Sequence, residues 1–253
     1  MPALIAGILP PGVASTEVRG ESPDPMDGRA EGLFPAEQSA LGRVAACRRR
    51  DFTVARACAR RALDQLGLPP AAILPGPRRE PCWPGGVVGS ITHCPGYRAA
   101  AVARWAELAS VGIDAEVAEA LPDGVLDKVT LPEERAWMRV LPGSGVAWDR
   151  VVFSAKESVY KAWFPLAGRW LGFEDAVVTV DHVRPLEGGL DSIRPLEGGL
   201  GGRPVAGTFE ARLLVDGPEV GGEPLSHLAG RFRVGDGLIL TAVAVPWPQE
   251  APA

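Results

Sequence analysis

The sequence has few of the residues that build soft-metal or redox sites. Its 253 residues include four cysteines and three histidines, and no two of the cysteines form a C-x-x-C pair. This pattern gives little support for a zinc site, and so few cysteines in a chain this long do not indicate a disulfide framework. We therefore expect reduced and mostly buried thiols, as in a cytoplasmic protein.

Long apolar runs and an excess of positive charge are absent as well. No apolar stretch approaches the ~20 residues of a membrane helix, and the N-terminus has no basic segment and carries Pro10 and Pro11, unlike a signal peptide. A formal net charge of −5 argues against nucleic acid as a partner, because phosphate binding needs a basic face. We expect a soluble cytoplasmic protein that binds neither membranes nor nucleic acids.

The composition that remains, 46% apolar and 23% charged, is typical of a soluble globular protein. Gly, Pro and polar residues over 15–35 predict a loop, and residues 1–14 predict a strand and a turn. Periodicity and capping signals predict helices over 36–66, interrupted at Gly42, over 130–140 and over 148–164. The second of these has a capping-box pattern with Thr130 as N-cap and Glu133 at N3.

Strands are expected in both halves of the chain, where short apolar runs are bounded by turn residues. The expected strands cover 87–93, 97–105, 109–114, 175–180, 209–215, 230–234 and 238–245. Gly235-Asp236-Gly237 joins the last two as a hairpin. Helices followed by antiparallel strands in each half predict an α+β fold. We expect two similar, pseudo-two-fold halves, 1–114 and 115–253, with the active site at their junction.

One segment is duplicated. Residues 184–190 recur as residues 194–200, each copy reading R-P-L-E-G-G-L. Two Gly- and Pro-rich copies do not make a solenoid, so we expect a duplicated surface loop.

Two short segments carry acids and lysines. Asp114 and Glu116 alternate along an apolar strand, so both side chains leave the same face roughly 6–7 Å apart. Glu157 could approach from the helix over 148–164, where Lys161 lies one turn further on. Oxygen ligands without His or Cys suit Mg²⁺. Separately, the two acids could flank a turn, and Glu157 and Lys161 could form a solvated pair.

Arginines cluster in the first predicted helix. Six lie within fourteen residues that contain one acid: Arg48, Arg49, Arg50, Arg56, Arg60 and Arg61. This cluster is either a solvated helix face or a phosphate-binding surface, which the guanidinium fork suits. Arg78 and Arg79 add further positive charge. Ser90 and His93 end a predicted strand, where His93 is either structural or a phosphate contact, and no G-x-S-x-G elbow surrounds Ser90.

These motifs together resemble one family. Residues 112–116 and 153–161 resemble the two signatures of 4′-phosphopantetheinyl transferases, and residues 81–84, 89–93 and 48–61 resemble motifs upstream of them. The order and spacing agree over about residues 36–172. The long form with two halves resembles the Sfp-type monomer, which activates siderophore, polyketide and peptide synthetases.

The resemblance implies an activity and a set of roles. The activity is Mg²⁺-dependent transfer of 4′-phosphopantetheine from coenzyme A to a serine of an apo acyl or peptidyl carrier protein, with release of 3′,5′-ADP. It implies Asp114, Glu116 and Glu157 as metal ligands, with Asp114, Glu157 and Lys161 as catalytic residues and Glu157 as the base. The implied contacts to coenzyme A are Arg48, Arg56, Arg79, Ser90, His93, Lys156 and Lys161.

Two alternatives stay open at this point. The first is a non-catalytic module that binds coenzyme A or a nucleotide, which the complete set of acids argues against. The second is another Mg²⁺-dependent phosphotransferase that uses ATP. The absence of a G-x-x-x-x-G-K-[ST] loop argues against a P-loop enzyme of that kind.

Overall fold

The computed structural model of the chain describes residues 3–20, 32–141, 145–186 and 204–248. The helices within these ranges are α1 (Pro35–Leu41), α2 (Ala46–Gln65), α3 (Leu126–Val129), α4 (Pro132–Met138) and α5 (Trp148–Ala167), with 3₁₀ turns at Ile5–Ile8 and Phe173–Asp175. The strands are β1 (Ala14–Arg19), β2 (Leu74–Pro75), β3 (Pro81–Cys82), β4 (Val87–Cys94), β5 (Tyr97–Arg104), β6 (Leu108–Val117), β7 (Ala176–Pro185), β8 (Val205–Leu213), β9 (Glu219–Val220), β10 (Glu223–Pro224), β11 (His227–Gly235) and β12 (Leu238–Pro246). The predicted α+β class is confirmed.

The first sheet is small and packs against α2. Its three antiparallel strands run in the order β1-β5-β4. The buried face of α2 presents small side chains such as Ala59 and Ala62 to Ala100 and Val102 of β5. Small residues on both surfaces let the helix lie close to the sheet, so a long helix rich in arginine is held by a compact apolar core.

The second sheet is larger and packs against α5. Its five antiparallel strands run in the order β6-β12-β11-β8-β7. Trp163 of α5 belongs to the same core as Phe209, Phe232 and Ile239 of the sheet. On the other face, the 3₁₀ turn at Ile5–Ile8 covers the β12 end of the sheet. The predicted boundary at residue 114 falls inside β6, which pairs with β12 from Leu108 onwards.

The two sheets meet along the outer edge of β6, where side chains replace a backbone ladder. The N–H of Ile113 donates to Ser90 Oγ at 3.1 Å, and the N–H of Ala115 donates to Thr92 Oγ1 at 3.0 Å. Both hydroxyls come from β4 and are buried. Because a buried strand edge must find partners for its N–H groups, these two hydroxyls satisfy the edge and join the two sheets.

Several local predictions differ from the structure near the N-terminus. The predicted strand within residues 1–14 contains the 3₁₀ turn at Ile5–Ile8, and β1 lies in the segment predicted as loop. Residues 21–31 of that predicted loop lie outside the described ranges. The first predicted helix is divided near Gly42, as expected, into α1 and α2.

The capping pattern of α4 is shifted by one residue from the prediction. Leu131 is the N-cap and Glu134, not Glu133, stands at N3, where its Oε2 accepts the Leu131 N–H at 2.6 Å. Pro132 accounts for the shift, because its fixed φ and missing N–H suit the first helical position. The hydroxyl of Thr130, which follows the end of α3, instead donates to the carbonyl of Leu126 in that helix.

The later elements follow the predictions more closely. Pro165 lies inside the last turn of α5, which extends to Ala167 and ends at Gly168 with φ of 63°. The hairpin between β11 and β12 is confirmed. The duplicated segment lies largely outside the described ranges, apart from its first residues at the end of β7.

The exposure of the cysteines and the length of the helices can be compared with the predictions of buried thiols and of no membrane helix. All four cysteines are free, but Cys47 and Cys82 are exposed, so the prediction of mostly buried thiols is wrong for these two. No helix in the described part of the chain is long and apolar enough to cross a membrane.

Candidate active site

The site is built where α5 lies across β6. Every second residue of β6 faces the helix. Each of these residues contacts a residue of α5, and successive contacted residues are four positions apart along the helix. The facing pairs are Ser110 with Ala162, Gly112 with Ser158, Asp114 with Ser154, and Glu116 with Arg150. Two strand residues and four helix residues both advance by about 6–7 Å, so the register holds along the whole strand.

The closest approach in this register is at Gly112. A Cβ at this position would lie 2.0 Å from the Ser158 carbonyl oxygen and 2.6 Å from the Ala162 nitrogen. No side chain fits there, so glycine lets the helix backbone rest directly on the strand. This contact brings the next part of α5, with Glu157 and Lys161, beside Asp114.

Asp114 is the best-anchored acid of the site. Its side chain is 7% exposed, and Lys161 Nζ lies 2.7 Å from Oδ1. Ser154 Oγ donates to Oδ2 at 2.8 Å, and Thr92 Oγ1 donates to Oδ1 at 3.4 Å. Lys161 Nζ also donates to the Ile113 carbonyl at 3.1 Å, so the lysine is fixed to the strand that carries Asp114.

Besides burial, the negative charge of Asp114 raises the pKa of both other acids, Glu116 and Glu157. Burial raises the pKa of Glu116, and Asp114 adds to this, whereas Arg150, whose NH1 lies 2.9 Å from Glu116 Oε2, lowers it. Burial likewise raises the pKa of Glu157, Lys161 lowers it, and Asp114 and Glu116 raise it further. Three carboxylates from two elements thus share one electrostatic environment.

A pocket of about 540 Å³ opens beside these groups. Glu157 and Lys161 line it from α5, Ser90 lines it from β4, and Arg78 and Arg79 line it from the turn between β2 and β3. Arg79 has a φ of 71°, a backbone conformation that is strained for a non-glycine residue and that persists only because the surrounding turn holds it. The apolar wall includes Trp83, Val88, Tyr160 and Phe164.

An aromatic group continues from this pocket to the surface. Tyr160 packs with a tilted ring against Trp170 at a centroid distance of 4.8 Å and against Phe164 at 5.8 Å. Trp170 is 61% exposed. No spacing or composition signal in the sequence points to this aromatic group.

Arg48 and His93 form a second exposed group. Arg48 NH1 lies 3.3 Å from His93 Nε2. Partial burial lowers the pKa of His93, Asp51 raises it, and Arg48 and Lys161 lower it. At neutral pH the imidazole is therefore uncharged, and its Nε2 can accept the Arg48 N–H.

Two residues predicted to contact coenzyme A are placed differently. Arg56 is buried, with Nε donating to the Ile73 carbonyl at 3.1 Å and its guanidinium 3.8 Å from the centre of the Phe52 ring. Burial lowers the pKa of Arg56 to about 10, against a raising effect of Glu37. Arg56 therefore lies behind Arg48 rather than on the surface.

Lys156 faces the core on another side of α5. Its Nζ lies 2.8 Å from Glu134 Oε2 and donates to the Phe173 carbonyl at 2.6 Å. The side chain is 3% exposed. Lys156 does not line the pocket. A buried ammonium with two such partners argues against the predicted phosphate contact, which stays a prediction.

The acids are paired with cations rather than grouped as a metal cage. Among the described residues, no set of three His, Cys, Asp or Glu side chains is arranged to hold a metal ion. Lys161 and Arg150 instead stand against Asp114 and Glu116. The donors are nonetheless all carboxylate oxygens, the chemistry that suits Mg²⁺.

Comparison with known proteins gives the family. A sequence model of the 4′-phosphopantetheinyl transferase N-terminal domain matches residues 36–103, and one of the 4′-phosphopantetheinyl transferase superfamily matches residues 110–195. The chain is 47% identical to the 4′-phosphopantetheinyl transferase Svp of Streptomyces mobaraensis over 97% of this chain and 90% of that protein. The chain belongs to the 4′-phosphopantetheinyl transferase family.

Two further relatives show the same similarity over almost their whole length. The chain is 47% identical to the 4′-phosphopantetheinyl transferase PptT of Mycobacterium tuberculosis, covering 96% of this chain and 98% of that protein. It is also 47% identical to the 4′-phosphopantetheinyl transferase Npt of Nocardia iowensis, covering 95% and 99%. The chain is therefore a transferase, which argues against a non-catalytic module, and its family is not one of ATP-dependent phosphotransferases.

Sequence reasoning missed several residues around the acids of this transferase. Arg150 holds Glu116, Ser154 holds Asp114, and Thr92 contacts both β6 and Asp114. Arg150 and Ser154 could have been found from their spacing of four, which matches the alternation of Asp114 and Glu116. Thr92 carried no such signal, because its contact depends on how the two sheets meet.

Proposed function

We propose that this transferase moves the 4′-phosphopantetheine arm of coenzyme A to a serine of an apo acyl or peptidyl carrier protein, in a Mg²⁺-dependent reaction that releases 3′,5′-ADP. One observation carries the proposal. Asp114, Glu116, Glu157 and Lys161 converge beside a pocket that is also lined by Arg78 and Arg79. Acids for a cation and bases for phosphates thus lie side by side.

The residues present fit Mg²⁺. Asp114, Glu116 and Glu157 would hold it, because they offer only oxygen donors and their mutual repulsion is relieved by a divalent cation. When bound, Mg²⁺ supplies positive charge to the pyrophosphate of coenzyme A. Arg150 and Lys161 would then share these carboxylates with the metal.

Proton transfer is assigned to Glu157. The carrier serine attacks the phosphorus of the pantetheine phosphate, its O–P bond forms as the P–O bond to 3′,5′-ADP breaks, and its proton passes to a base. Glu157 lines the pocket, and its burial raises its pKa. A raised pKa makes a carboxylate a better base at neutral pH.

Charge on the leaving 3′,5′-ADP is assigned to cationic side chains. Lys161 Nζ is fixed by Asp114 and the Ile113 carbonyl, so it is already oriented where negative charge develops. Arg79 and the exposed pair of Arg48 and His93 supply donors for the other phosphates, with Arg56 behind Arg48. Ser90 Oγ accepts the Ile113 N–H and can still donate its own proton into the pocket.

The test uses the full chain, coenzyme A, Mg²⁺ and several apo carrier proteins. We expect the carrier to gain the mass of one phosphopantetheine arm and 3′,5′-ADP to appear in equal amount, and EDTA to stop both. Asp114→Asn should abolish transfer while the protein stays folded. No gain with any carrier, or full activity of Asp114→Asn, would refute the proposal.

The wider setting is also proposed. By similarity to its relatives, the enzyme would act as a cytoplasmic monomer on carriers of siderophore, polyketide, peptide and fatty acid synthesis. Incubating it with carriers from each class, and comparing kcat/KM, ranks them. Sedimentation of the purified chain tests the monomer.

A further inference from the structure

We propose that Ser154, supported by Thr241, is a positioning residue that fixes the orientation of Asp114 in the proposed metal site. The inference rests on the proposed function. All three side chains meet in one interior position: Ser154 and Thr241 are fully buried, and Asp114 is nearly so. Thr241 lies directly opposite Asp114 in the register of β12 and β6, and Ser154 faces it from α5.

The proton of the Ser154 hydroxyl is committed to Asp114. A carboxylate oxygen only accepts, and Ser154 Oγ lies 2.8 Å from Asp114 Oδ2. Thr241 Oγ1 lies 3.0 Å from Ser154 Oγ and 2.9 Å from the Ser154 carbonyl oxygen. Since that carbonyl cannot donate and the Ser154 proton goes to Asp114, the one proton of Thr241 is shared between the Ser154 carbonyl oxygen and Ser154 Oγ. Thr241 therefore holds Ser154, and Ser154 in turn donates to Asp114.

The two carboxylate oxygens of Asp114 therefore have different partners. Oδ2 is held in the interior by Ser154, whereas Oδ1 faces Lys161. A hydrogen bond to one oxygen fixes the rotation of the carboxylate plane, so the other oxygen has one direction. Partners that orient a metal ligand in this way usually contribute 10- to 100-fold, roughly, to metal affinity or activity.

The chain provides a matched control on the same helix. Ser158 is also fully buried one turn further along α5, but its hydroxyl donates only to the Ala155 carbonyl at 2.8 Å. Ser154→Ala and Ser158→Ala therefore remove the same group from equally buried positions. Ser154→Cys keeps a weak donor on a slightly larger side chain, and Thr241→Val keeps the shape of Thr241 without its donor.

Two measurements separate positioning from stability. The first is the Mg²⁺ concentration that gives half-maximal transfer at saturating coenzyme A. The second, independent of activity, is the affinity for Mn²⁺ in the presence of coenzyme A, measured by electron paramagnetic resonance. Thermal midpoints in EDTA show how far each variant is destabilised.

We expect Ser154→Ala to raise the half-maximal Mg²⁺ concentration and to weaken Mn²⁺ binding by about 10- to 100-fold. Ser154→Cys and Thr241→Val should fall between Ser154→Ala and Ser158→Ala, and Ser158→Ala should match the wild type. The double variant Ser154→Ala/Thr241→Val should match Ser154→Ala in metal affinity, because Thr241 acts through Ser154.

Each result decides between the two proposals. Equal metal dependence of Ser154→Ala and Ser158→Ala in an active wild-type background overturns the positioning role alone. A wild-type enzyme that neither transfers the arm nor binds Mn²⁺ overturns the proposed function and this inference with it. If Ser154→Ala does not fold, the order of Ser154→Cys, Thr241→Val and Ser158→Ala carries the same test.

Discussion

Two short helices, each beside a different long helix, begin in the same way. α1 begins F-P-A-E and α4 begins L-P-E-E, so each has proline at its first position and glutamate at its third. Glu37 and Glu134 are both fully buried, and each accepts the backbone N–H of its own N-cap. Each also accepts an N–H from a distant segment, that of Ile73 or that of Val178.

The two glutamates differ in the cation that the neighbouring 20-residue helix supplies. Arg60 of α2 places NH1 3.1 Å from both carboxylate oxygens of Glu37. Lys156 of α5 reaches Glu134 at 2.8 Å, and burial lowers its pKa while Glu134 raises it. A buried glutamate at the third helical position is thus paired with either cation. A lysine within a segment that resembles a family signature can therefore serve the fold rather than the substrate.

Removing the cations should produce the largest effects. Arg60→Met and Lys156→Met each leave a buried glutamate without its counter-charge, which costs about 3–5 kcal/mol. Denaturant unfolding measures the loss, and Arg61→Met, an exposed neighbour on α2, is the control with little change. Lys156→Met should also keep its KM for coenzyme A; a native stability with a raised KM would contradict the structural role.

Removing the acids should sharpen the difference between arginine and lysine. Glu37→Gln leaves Arg60 charged and buried, because a guanidinium does not lose its proton in proteins, and should cost about 3–5 kcal/mol. Glu134→Gln should cost less, because Lys156 can become neutral. A base whose folded-state pKa lies below its ordinary 10.5 releases its proton first in the folded protein, so stability rises with pH toward 10.5.

Unfolding free energies at neutral and alkaline pH test this contrast. The Glu134→Gln variant should recover stability relative to Glu37→Gln as the pH rises. Equal pH slopes for the two variants would show that Lys156 keeps its proton and that the two glutamate–cation pairs are equivalent.

The close contact at Gly112 involves α5 and not α2, so a substitution there tests the packing of one long helix by itself. Gly112→Ala should lower the unfolding free energy by about 1–3 kcal/mol, because its methyl group meets the α5 backbone. Transfer activity should fall by more than the loss of folded protein explains, since α5 carries Glu157 and Lys161. Gly7→Ala, where nothing lies within 4 Å, should leave both unchanged, and a tolerated Gly112→Ala would refute the close contact.

The smallest effect concerns His93, which lies beside Arg48 of α2. His93 has a lowered pKa, so the folded protein binds its proton less readily than the unfolded chain and loses stability as the pH falls below the ordinary value of 6.5. The loss should be under about 0.5 kcal/mol, since the residue is exposed. His93→Gln should remove this pH dependence in thermal melts; an unchanged slope would assign it elsewhere.

Local signals in the sequence predicted much of the fold and the core of the site. The helix on which Glu157 and Lys161 lie one turn apart, the strand with Asp114 and Glu116, and the hairpin at Gly235–Gly237 all follow from periodicity and turn chemistry. Lys156 could not be placed in the same way, because only the burial of Glu134 decides which side of α5 it serves. The hydrogen bonds of the Ser90 and Thr92 hydroxyls could not be predicted either, since they go to the backbone of another sheet.

The position of β6 in its sheet has a consequence for protein synthesis. This strand carries Asp114 and Glu116, yet its backbone partner is β12, the last strand that the structure describes. During translation, β6 leaves the ribosome long before β12, and such non-local pairing forms late. A nascent or truncated chain that ends before residue 238 would contain all of the acids and lysines of the site, but not the strand that aligns them.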